Sequence, residues 1–300
     1  MLSPGGLWRR AHLMQAIRRF FIERRYLEVD TPVRLPAPAP EAHIFPEPAD
    51  DWFLQTSPEL AMKRLLAAGN ERIFQICKCF RRAERGPRHL PEFTMLEWYR
   101  AGIDYLELMQ ECEELLAFLA AEILRTDTLQ VAGRNVSLPP PWEKLSVAEA
   151  FARHAPIPMD QALAEDRFDE TLVEDIEPHL GWGMPTFLYD YPAVLGALAR
   201  CKRGQPEVAE RFELYLGSLE LANGFSELTD PAEQRQRFAD DRQLIEAAGR
   251  RPGPMPDKFL AELAEMPEAA GIALGVDRLA MLFADAASID EVVSFTPEEL

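Results

Sequence analysis

The protein has 300 residues, of which 47% are hydrophobic and 27% charged, and this balance excludes a wholly disordered chain. Its formal net charge of −18 disfavours tight binding to bulk nucleic acid or anionic membranes and favours a basic protein partner. Residues 1–8 contain no signal-peptide-like apolar run and no long apolar span follows, so we expect a cytoplasmic protein without membrane association. The four cysteines lack metal-ligand spacing, and disulfides are not expected.

The chain begins with an amphipathic helix predicted over Leu7–Tyr26, in which apolar residues recur at helical spacing and arginines cover the other faces. A short strand, Leu27–Pro32, follows it. Such a basic helix is compatible with nucleic-acid binding, but the acidic remainder of the chain favours a solvated or subunit-contacting helix.

After a proline-rich connection, Phe53–Glu59 predicts a strand that continues into a helix. Ser57 suits the N-cap of this helix and Pro58 its first position. Glu59 then either complements the helix dipole, which spacing alone favours, or points at a ligand ammonium.

The stretch Phe74–Tyr99 predicts two strands joined by a charged loop over Arg82–Pro91. The second strand places Phe93, Met95, Glu97 and Tyr99 on one face, which mixes apolar groups with a carboxylate and a phenol. Arg81 lies at the mouth of the loop. This pattern suits a nucleotide phosphate beside an amine, and the alternative is an exposed, solvated hairpin.

The middle of the chain is mainly helical. Apolar spacing predicts a helix over Tyr105–Arg125, and Ser146–Glu149 has the form of a capping box that opens an acidic helical region extending to about Leu180. A strand bounded by prolines, Pro185–Pro192, comes next.

A second hairpin is predicted within Phe212–Phe225. If Leu216-Gly217 forms its two-residue turn, Glu213 and Glu220 lie directly opposite each other, where like charges repel. Mg²⁺ held by both carboxylates and by substrate phosphates would resolve this repulsion. The alternative is that one glutamate points to solvent, because the register is inferred.

Gly271–Leu282 predicts a buried strand that passes directly into a helix, with Asp277 as its cap and Arg278 in its first turn. A cation at this end opposes the helix dipole and calls for a compensating anion. A purely structural Asp277–Arg278 arrangement is the alternative.

These stretches, in this order, resemble the three signature motifs of class II aminoacyl-tRNA synthetases: the segment ending at Thr31-Pro32, then Phe80–Tyr99, then Gly271–Arg278. Ser57–Leu60, Pro91–Glu97 and Leu221–Leu228 are most similar to the lysyl-tRNA synthetase branch. The chain starts at the first motif and carries Ala273 where the synthetases have glycine. In these respects it resembles the elongation factor P–(R)-β-lysine ligase family.

The resemblance implies an α+β class II catalytic fold, in which helices flank an antiparallel sheet of six or seven strands. It implies a single catalytic domain over 1–300, with a mainly helical insertion at about 145–184 and no anticodon-binding domain. It also implies a homodimer formed through the first motif, ATP and Mg²⁺ as co-substrate and cofactor, and (R)-β-lysine or lysine as substrate. Elongation factor P would accept the acyl group, and tRNA is not expected to.

The resemblance also implies roles for individual residues. Arg81 and Arg278 would be catalytic, on the α- and γ-phosphates. ATP would be bound by Arg81, Glu84, His89, Phe93, Glu220, Leu221, Gly275 and Arg278. The amino acid would be bound by Ser57, Glu59, Glu97, Tyr99, Asn223, Glu227 and Ala273. Glu213 and Glu220 would hold the metal.

Two residues depart from the pattern of the family. Ala83 stands where the synthetases have glutamate, with Glu84 following, and Leu90 replaces an asparagine. A lost hydrogen bond to a charged group costs about 1.5–3 kcal/mol. Two other readings stay open: an adenylating enzyme with another acceptor (a carrier protein, a small molecule or tRNA), and a non-catalytic paralogue, which only Leu90 favours.

Overall fold

The central feature of the structure, a computed structural model that describes residues 1–300, is a nine-stranded sheet flanked by helices. The α-helices are α1 (Pro4–Glu23), α2 (Glu59–Ala67), α3 (Tyr105–Leu119), α4 (Val147–His154), α5 (Met159–Ala164), α6 (Phe168–Thr171), α7 (Pro231–Ala247), α8 (Asp257–Glu262) and α9 (Val276–Ala284). The strands are β1 (Leu27–Glu28), β2 (Arg34–Leu35), β3 (Pro48–Ala49), β4 (Trp52–Leu54), β5 (Arg72–Phe80), β6 (Glu92–Ala101), β7 (Thr128–Val131), β8 (Arg134–Ser137), β9 (Glu143–Ser146), β10 (Thr186–Pro192), β11 (Cys201–Lys202), β12 (Gln205–Leu216), β13 (Leu219–Ser226) and β14 (Ala269–Gly275).

The sheet has the strand order β1-β5-β6-β14-β13-β12-β10-β9, with β11 also paired to β12. All pairs are antiparallel except the two at the edges, where β1 lies parallel to β5 and β9 parallel to β10. The fold is thus of the expected α+β class, with a mainly antiparallel sheet flanked by helices. The sheet is larger than the six or seven antiparallel strands predicted, because the parallel edge strands extend it.

The main hydrophobic core, a cluster of 41 buried residues, covers one face of this sheet. Alternation along the strands divides the two faces: Leu96 and Trp98 of β6 lie in this core, whereas Glu97 and Tyr99 face the opposite side. Residues of α1, α3 and α9 supply much of the helical part of the core. One face of the sheet is therefore left for a ligand cavity.

The predicted helices have the expected positions with small shifts at their ends. Helix α1 begins and ends three residues before the predicted Leu7–Tyr26. Helix α3 ends at Leu119 and continues as a π-helical segment, Ala120–Leu124. The capping box at Ser146 is present, since its hydroxyl accepts a bond from the Glu149 amide and the Glu149 carboxylate accepts one from the Ser146 amide.

Helices α4–α6 lie in a region with a core of its own, a separate cluster of 12 buried residues that also includes residues of β10 and β12. The predicted boundaries of a helical insertion at about 145–184 stay a prediction. No helix of the protein combines the length and the apolar character needed to span a bilayer.

Candidate active site

A cavity of about 590 Å³ lies against the second face of the sheet. It is lined by every residue for which the sequence predicted a site role, except Glu227: Ser57, Glu59, Arg81, Glu84, His89, Phe93, Glu97, Tyr99, Glu213, Glu220, Leu221, Asn223, Ala273, Gly275 and Arg278. A second cavity of about 570 Å³, beside α1 and α9, contains none of them. The candidate site is therefore the cavity against the sheet.

The loop between β5 and β6 is held in place on both sides, which argues against a freely solvated hairpin. Within the loop, the Gly86 amide donates to the His89 carbonyl at 3.1 Å. At its tip, Arg85 forms ion pairs at 2.9 Å with Asp290 and with Glu298, near the C-terminus. The guanidinium of Arg81 lies 5.2 Å from the centre of the Phe93 ring. The loop thus presents a cation and an aromatic face together.

Arg278 is the third residue of α9, as the sequence predicted for the first turn. Its guanidinium donates to the Glu220 carboxylate at 3.1 Å and lies 2.8 Å from Nε2 of His89. Glu220 is thus the compensating anion that the helix dipole calls for. Partial burial and the neighbouring Arg278 charge lower the pKa of His89, which favours the neutral ring.

The predicted cap at Asp277 is wrong. Gly275 is the N-cap of α9, and Asp277 lies inside the helix with 2% of its surface exposed. Its carboxylate instead accepts a bond from the Thr94 amide at 2.7 Å and pairs with Arg10 of α1 at 2.6 Å. Asp277 therefore joins α1, β6 and α9 beside Arg278.

The predicted register of the β12–β13 hairpin is also wrong. The turn is Gly217-Ser218, not Leu216-Gly217, and both turn residues have positive φ. Glu220 consequently lies opposite Tyr215, while Glu213 lies opposite Asn223. Tyr215 and Glu213 lie on the same face of β12, so the pairing of Glu220 with Tyr215 places Glu220 on that face, and the β-bulge that follows on β13 brings Asn223 to it as well. The two carboxylates share the cavity wall although they are not cross-strand partners.

Glu213 is already bonded by neighbours in the chain. Its carboxylate accepts bonds from the hydroxyls of Tyr191 and Tyr215, each at 2.7 Å, and from Arg211 at 2.6 Å. Burial raises its pKa, which the Arg211 charge opposes. Two carboxylates on one wall beside the guanidinium of Arg278 suit Mg²⁺, which commonly takes one or two carboxylates and completes its shell with phosphates and water. Of the two, Glu220 is the more exposed, with 36% of its side-chain surface accessible.

The opposite end of the cavity contains a buried carboxylate. Glu97 is 1% exposed and accepts bonds from the Ser57 hydroxyl at 2.6 Å and from the Tyr99 hydroxyl at 2.7 Å. Burial, and then the charge of Glu59, raise the pKa of Glu97 to about 8. Ala273 lies between Glu97 and Asn223 in the strand register. The floor at this end is thus acidic, and the methyl group of Ala273 takes up space in it.

Ser57 is displaced by one residue from its predicted capping position. Helix α2 begins at Glu59, and Pro58 is its N-cap. The Ser57 hydroxyl nevertheless accepts a bond from the Glu59 amide at 3.0 Å while it donates to Glu97. These two hydrogen bonds fix the start of α2 against the cavity floor.

Glu227 does not line the cavity but lies behind its wall, with 1% of its surface exposed. It forms an ion pair with Lys63, which pairs at the same time with Glu59. Burial raises the pKa of Glu227 to about 8, and Lys63 opposes this shift. Lys63 was not predicted from the sequence, although its place four residues after Glu59 on a helix indicates a possible ion pair.

Gly271 makes this arrangement possible. A Cβ atom there would lie 2.2 Å from two carbons of the Tyr99 ring and 2.5 Å from Oε1 of Glu227. Any side chain would therefore displace the tyrosine or the carboxylate. The close approach of backbone to ring explains a glycine at this strand position.

Among the acids of the cavity that were not found from the sequence are Glu41 and Asp241. Asp241 lies on the polar helix α7, and Glu41 lies in the connection that was recognised only as proline-rich and irregular. Neither position belongs to a motif, so only the fold brings them to the site.

Comparisons with known proteins agree with this geometry. The family model of class II tRNA synthetases (D, K and N) matches residues 6–299. The chain is 41% identical to the elongation factor P–(R)-β-lysine ligase of Erwinia tasmaniensis, over 98% of this chain and 95% of that protein. It is 42% identical to the ligase of the same name from Pectobacterium carotovorum subsp. carotovorum, over 99% and 96% respectively. The corresponding protein of Klebsiella pneumoniae subsp. pneumoniae is 40% identical, over 97% and 94%.

Proposed function

Because this chain belongs to the class II tRNA synthetase family, and within it to the elongation factor P–(R)-β-lysine ligases, we propose that it activates (R)-β-lysine or lysine with ATP. It then transfers the acyl group to a lysine side chain of elongation factor P. The observation that carries the proposal is a cavity with arginines at one end and buried carboxylates at the other. Arginines suit phosphates, and desolvated carboxylates suit the ammonium groups of a diamino acid.

The reaction has two steps. A carboxylate oxygen of the amino acid attacks the α-phosphorus of ATP, the bond to the bridging oxygen breaks, and pyrophosphate leaves. The lysine amine of the acceptor then attacks the acyl carbonyl, loses a proton, and AMP leaves. No residue of the chain forms a covalent bond in this scheme, so catalysis rests on positioning and on charge stabilisation.

Arg81 and Arg278 are proposed to neutralise the phosphates. Arg81, beside Phe93, would hold the α-phosphate while the ring stacks on adenine. Arg278 would bind the γ-phosphate in exchange for part of its contact with Glu220. Mg²⁺ between Glu213 and Glu220 would add charge neutralisation at the phosphates. Glu84, His89, Leu221 and Gly275 would complete the ATP site.

The amino acid is proposed to bind with its distal amine toward Glu97 and Tyr99. Asn223, Ala273 and, behind the wall, Glu227 would complete this end of the site. Ser57 holds the carboxylate of Glu97 in place. Lys63 pairs with Glu59 and Glu227, whereas Glu97 is bonded only by hydroxyl groups, so a cationic ligand would give Glu97 the cationic partner that it lacks.

We propose a homodimer formed through α1, acting in the cytoplasm. The helix leaves large apolar side chains at the surface, with Trp8 65% and Ile22 57% exposed. Apolar side chains exposed together on one helix suit a protein contact.

The experiment is a two-stage assay with the purified protein. ATP–pyrophosphate exchange is measured with (R)-β-lysine and with lysine. Elongation factor P is then incubated with the protein, ATP and the amino acid that supports exchange, and its mass is measured by mass spectrometry. We expect exchange, and a mass increase of one lysyl group on elongation factor P. No exchange with either amino acid refutes an adenylating enzyme, whereas exchange with an unmodified factor and charged tRNA identifies another acceptor.

A further inference from the structure

Glu41 is an acid of the cavity that no motif contains. We propose that it is a specificity residue whose carboxylate binds the substrate ammonium nearest the substrate carboxylate. This inference rests on the proposed function and adds to it the recognition of one amine.

The position of Glu41 places it at the carboxylate end of the amino acid. Its side chain lines the same cavity as Arg81 and Glu59. Both of these charges act on it, Arg81 lowering its pKa and Glu59 raising it. In an amino acid whose carboxylate approaches Arg81, an amine on the second or third carbon lies beside that carboxylate. Glu41 is therefore in the part of the cavity where this ammonium must lie.

The segment that carries Glu41 is fixed over the site. The Arg82 amide, in the loop beside Arg81, donates to the Phe45 carbonyl at 2.7 Å. From the other side, Arg250 donates to the Ala42 carbonyl and lies 4.1 Å from the centre of the Phe45 ring. A segment held at both sides can present a carboxylate in a defined position.

Glu41 differs from Glu59 in that no cationic side chain contacts it. Glu59 already forms an ion pair with Lys63. Glu41 makes no side-chain hydrogen bond and no ion pair, and burial raises its pKa to about 7. A partly buried carboxylate without a partner gains when a cation binds, because the ligand offsets a desolvation cost that the free protein bears. Glu41 is thus better suited than Glu59 to take up a new ammonium.

The test combines a variant with a substrate that lacks the relevant amine. Glu41→Gln keeps the shape of the side chain and removes its charge. The compound 6-aminohexanoic acid keeps the carboxylate and the distal amine but has no amine near the carboxylate. ATP–pyrophosphate exchange is measured for both proteins with (R)-β-lysine, lysine and 6-aminohexanoic acid. Glu47→Gln is the matched control, since it lies on the same segment and does not line the cavity.

We expect Glu41→Gln to lower kcat/KM about tenfold or more for the preferred diamino acid, the size typical of a lost hydrogen bond to a charged group. For 6-aminohexanoic acid the loss stays within about twofold, since the variant and the missing amine remove the same contact. The KM of Glu41→Gln for ATP stays within about twofold of that of the unmodified protein, and so do the kcat/KM values of Glu47→Gln for all three substrates.

Equal losses with both kinds of substrate, or no loss, would overturn the role of Glu41 while leaving the proposed function intact. Failure of the unmodified protein to activate either diamino acid would instead refute the proposed function. If Glu41→Gln does not fold, Glu41→Asp replaces it. A reduced preference for the diamino acid over 6-aminohexanoic acid then supports the role, and an unchanged preference refutes it.

Discussion

The ion-paired cluster of Lys63, Glu59 and Glu227 gives a direct test of how charge is balanced behind the cavity. Lys63 has 1% of its side-chain surface exposed and Glu227 has none, so water reaches neither charge. The lysine also lies 5.0 Å from the centre of the Phe225 ring. Lys63→Met keeps most of the buried volume and removes the one cation that contacts both acids.

We expect Lys63→Met to lower the free energy of unfolding by about 3–5 kcal/mol, the usual cost of removing one partner of a buried ion pair. This is a large part of the total of about 5–15 kcal/mol that domains possess. Without Lys63 the pKa of Glu227 rises further above about 8. At a pH between the pKa of Glu227 in the unmodified protein and its higher pKa in the variant, the folded variant binds more protons than the folded unmodified protein. The free energy of unfolding of the variant therefore falls further below that of the unmodified protein as the pH rises above about 8.

The measurement is urea unfolding of both proteins at pH 7 and pH 9. Lys78→Met is the control: its ion pair with Glu92 is 3.4 Å long and about half exposed, and we expect a loss of at most about 1 kcal/mol. Lys63→Met combined with Glu227→Gln should recover part of the loss, since it removes both charges. A loss below about 1 kcal/mol for Lys63→Met, or a difference that narrows at high pH, would refute this account of the cluster.

Three further predictions concern pH, a glycine and the ATP site. First, the ligand-free protein should lose stability as the pH rises from about 4.5 to about 8, because burial raises the pKa of several carboxyl groups in the folded state, among them Glu41, Glu97 and Glu227. Thermal unfolding across this range measures it, and stability that rises toward pH 8 would contradict it. Second, Gly271→Ala should lower kcat/KM for the amino acid at least about tenfold and stability by about 1–3 kcal/mol, because its Cβ would displace Tyr99; unchanged exchange kinetics and unfolding would disprove the close contact. Third, Glu84→Gln should raise the KM for ATP about three- to tenfold, because one hydrogen bond to ATP is lost, and should leave the KM for the amino acid within about twofold. A raised KM for the amino acid with an unchanged KM for ATP would instead place Glu84 in the amino-acid site.

The sequence was most informative where local pattern determines position. The alternation along β6 correctly predicted which residues share the face of Glu97, because the side-chain period of a strand is two. It failed at the β12–β13 hairpin, where the turn lies one residue later than predicted and a bulge follows. The later turn shifts the pairing by two residues, which leaves Glu213 and Glu220 on one face, and the bulge then places Asn223 opposite Glu213. Since neither is visible as periodicity, Glu213 and Glu220 were assigned to one wall for a reason that the structure does not support.

Residues brought to the site from outside the motifs could not be predicted in the same way. Glu41 and Asp241 come from segments without a periodic signal, and their positions follow only from how these segments pack. Asp277 was predicted as a helix cap from its place in the motif. The competing partner, Arg10 of α1, lies 267 positions away in the chain, a contact that sequence spacing does not indicate.

The two departures in the β5–β6 loop are explained by what the structure places around them. Leu90 is 4% exposed and belongs to the main hydrophobic core, so the position that is polar in the synthetases here anchors the loop by apolar packing. Ala83 has a φ of 66°, a left-handed conformation that an exposed turn tolerates at modest cost. The Ile289 amide bonds to the Pro87 carbonyl at 2.8 Å, and Arg85 pairs with acids near the C-terminus. Apolar packing and these C-terminal contacts therefore fix the loop that presents Arg81, which argues that both substitutions are compatible with an ordered ATP site.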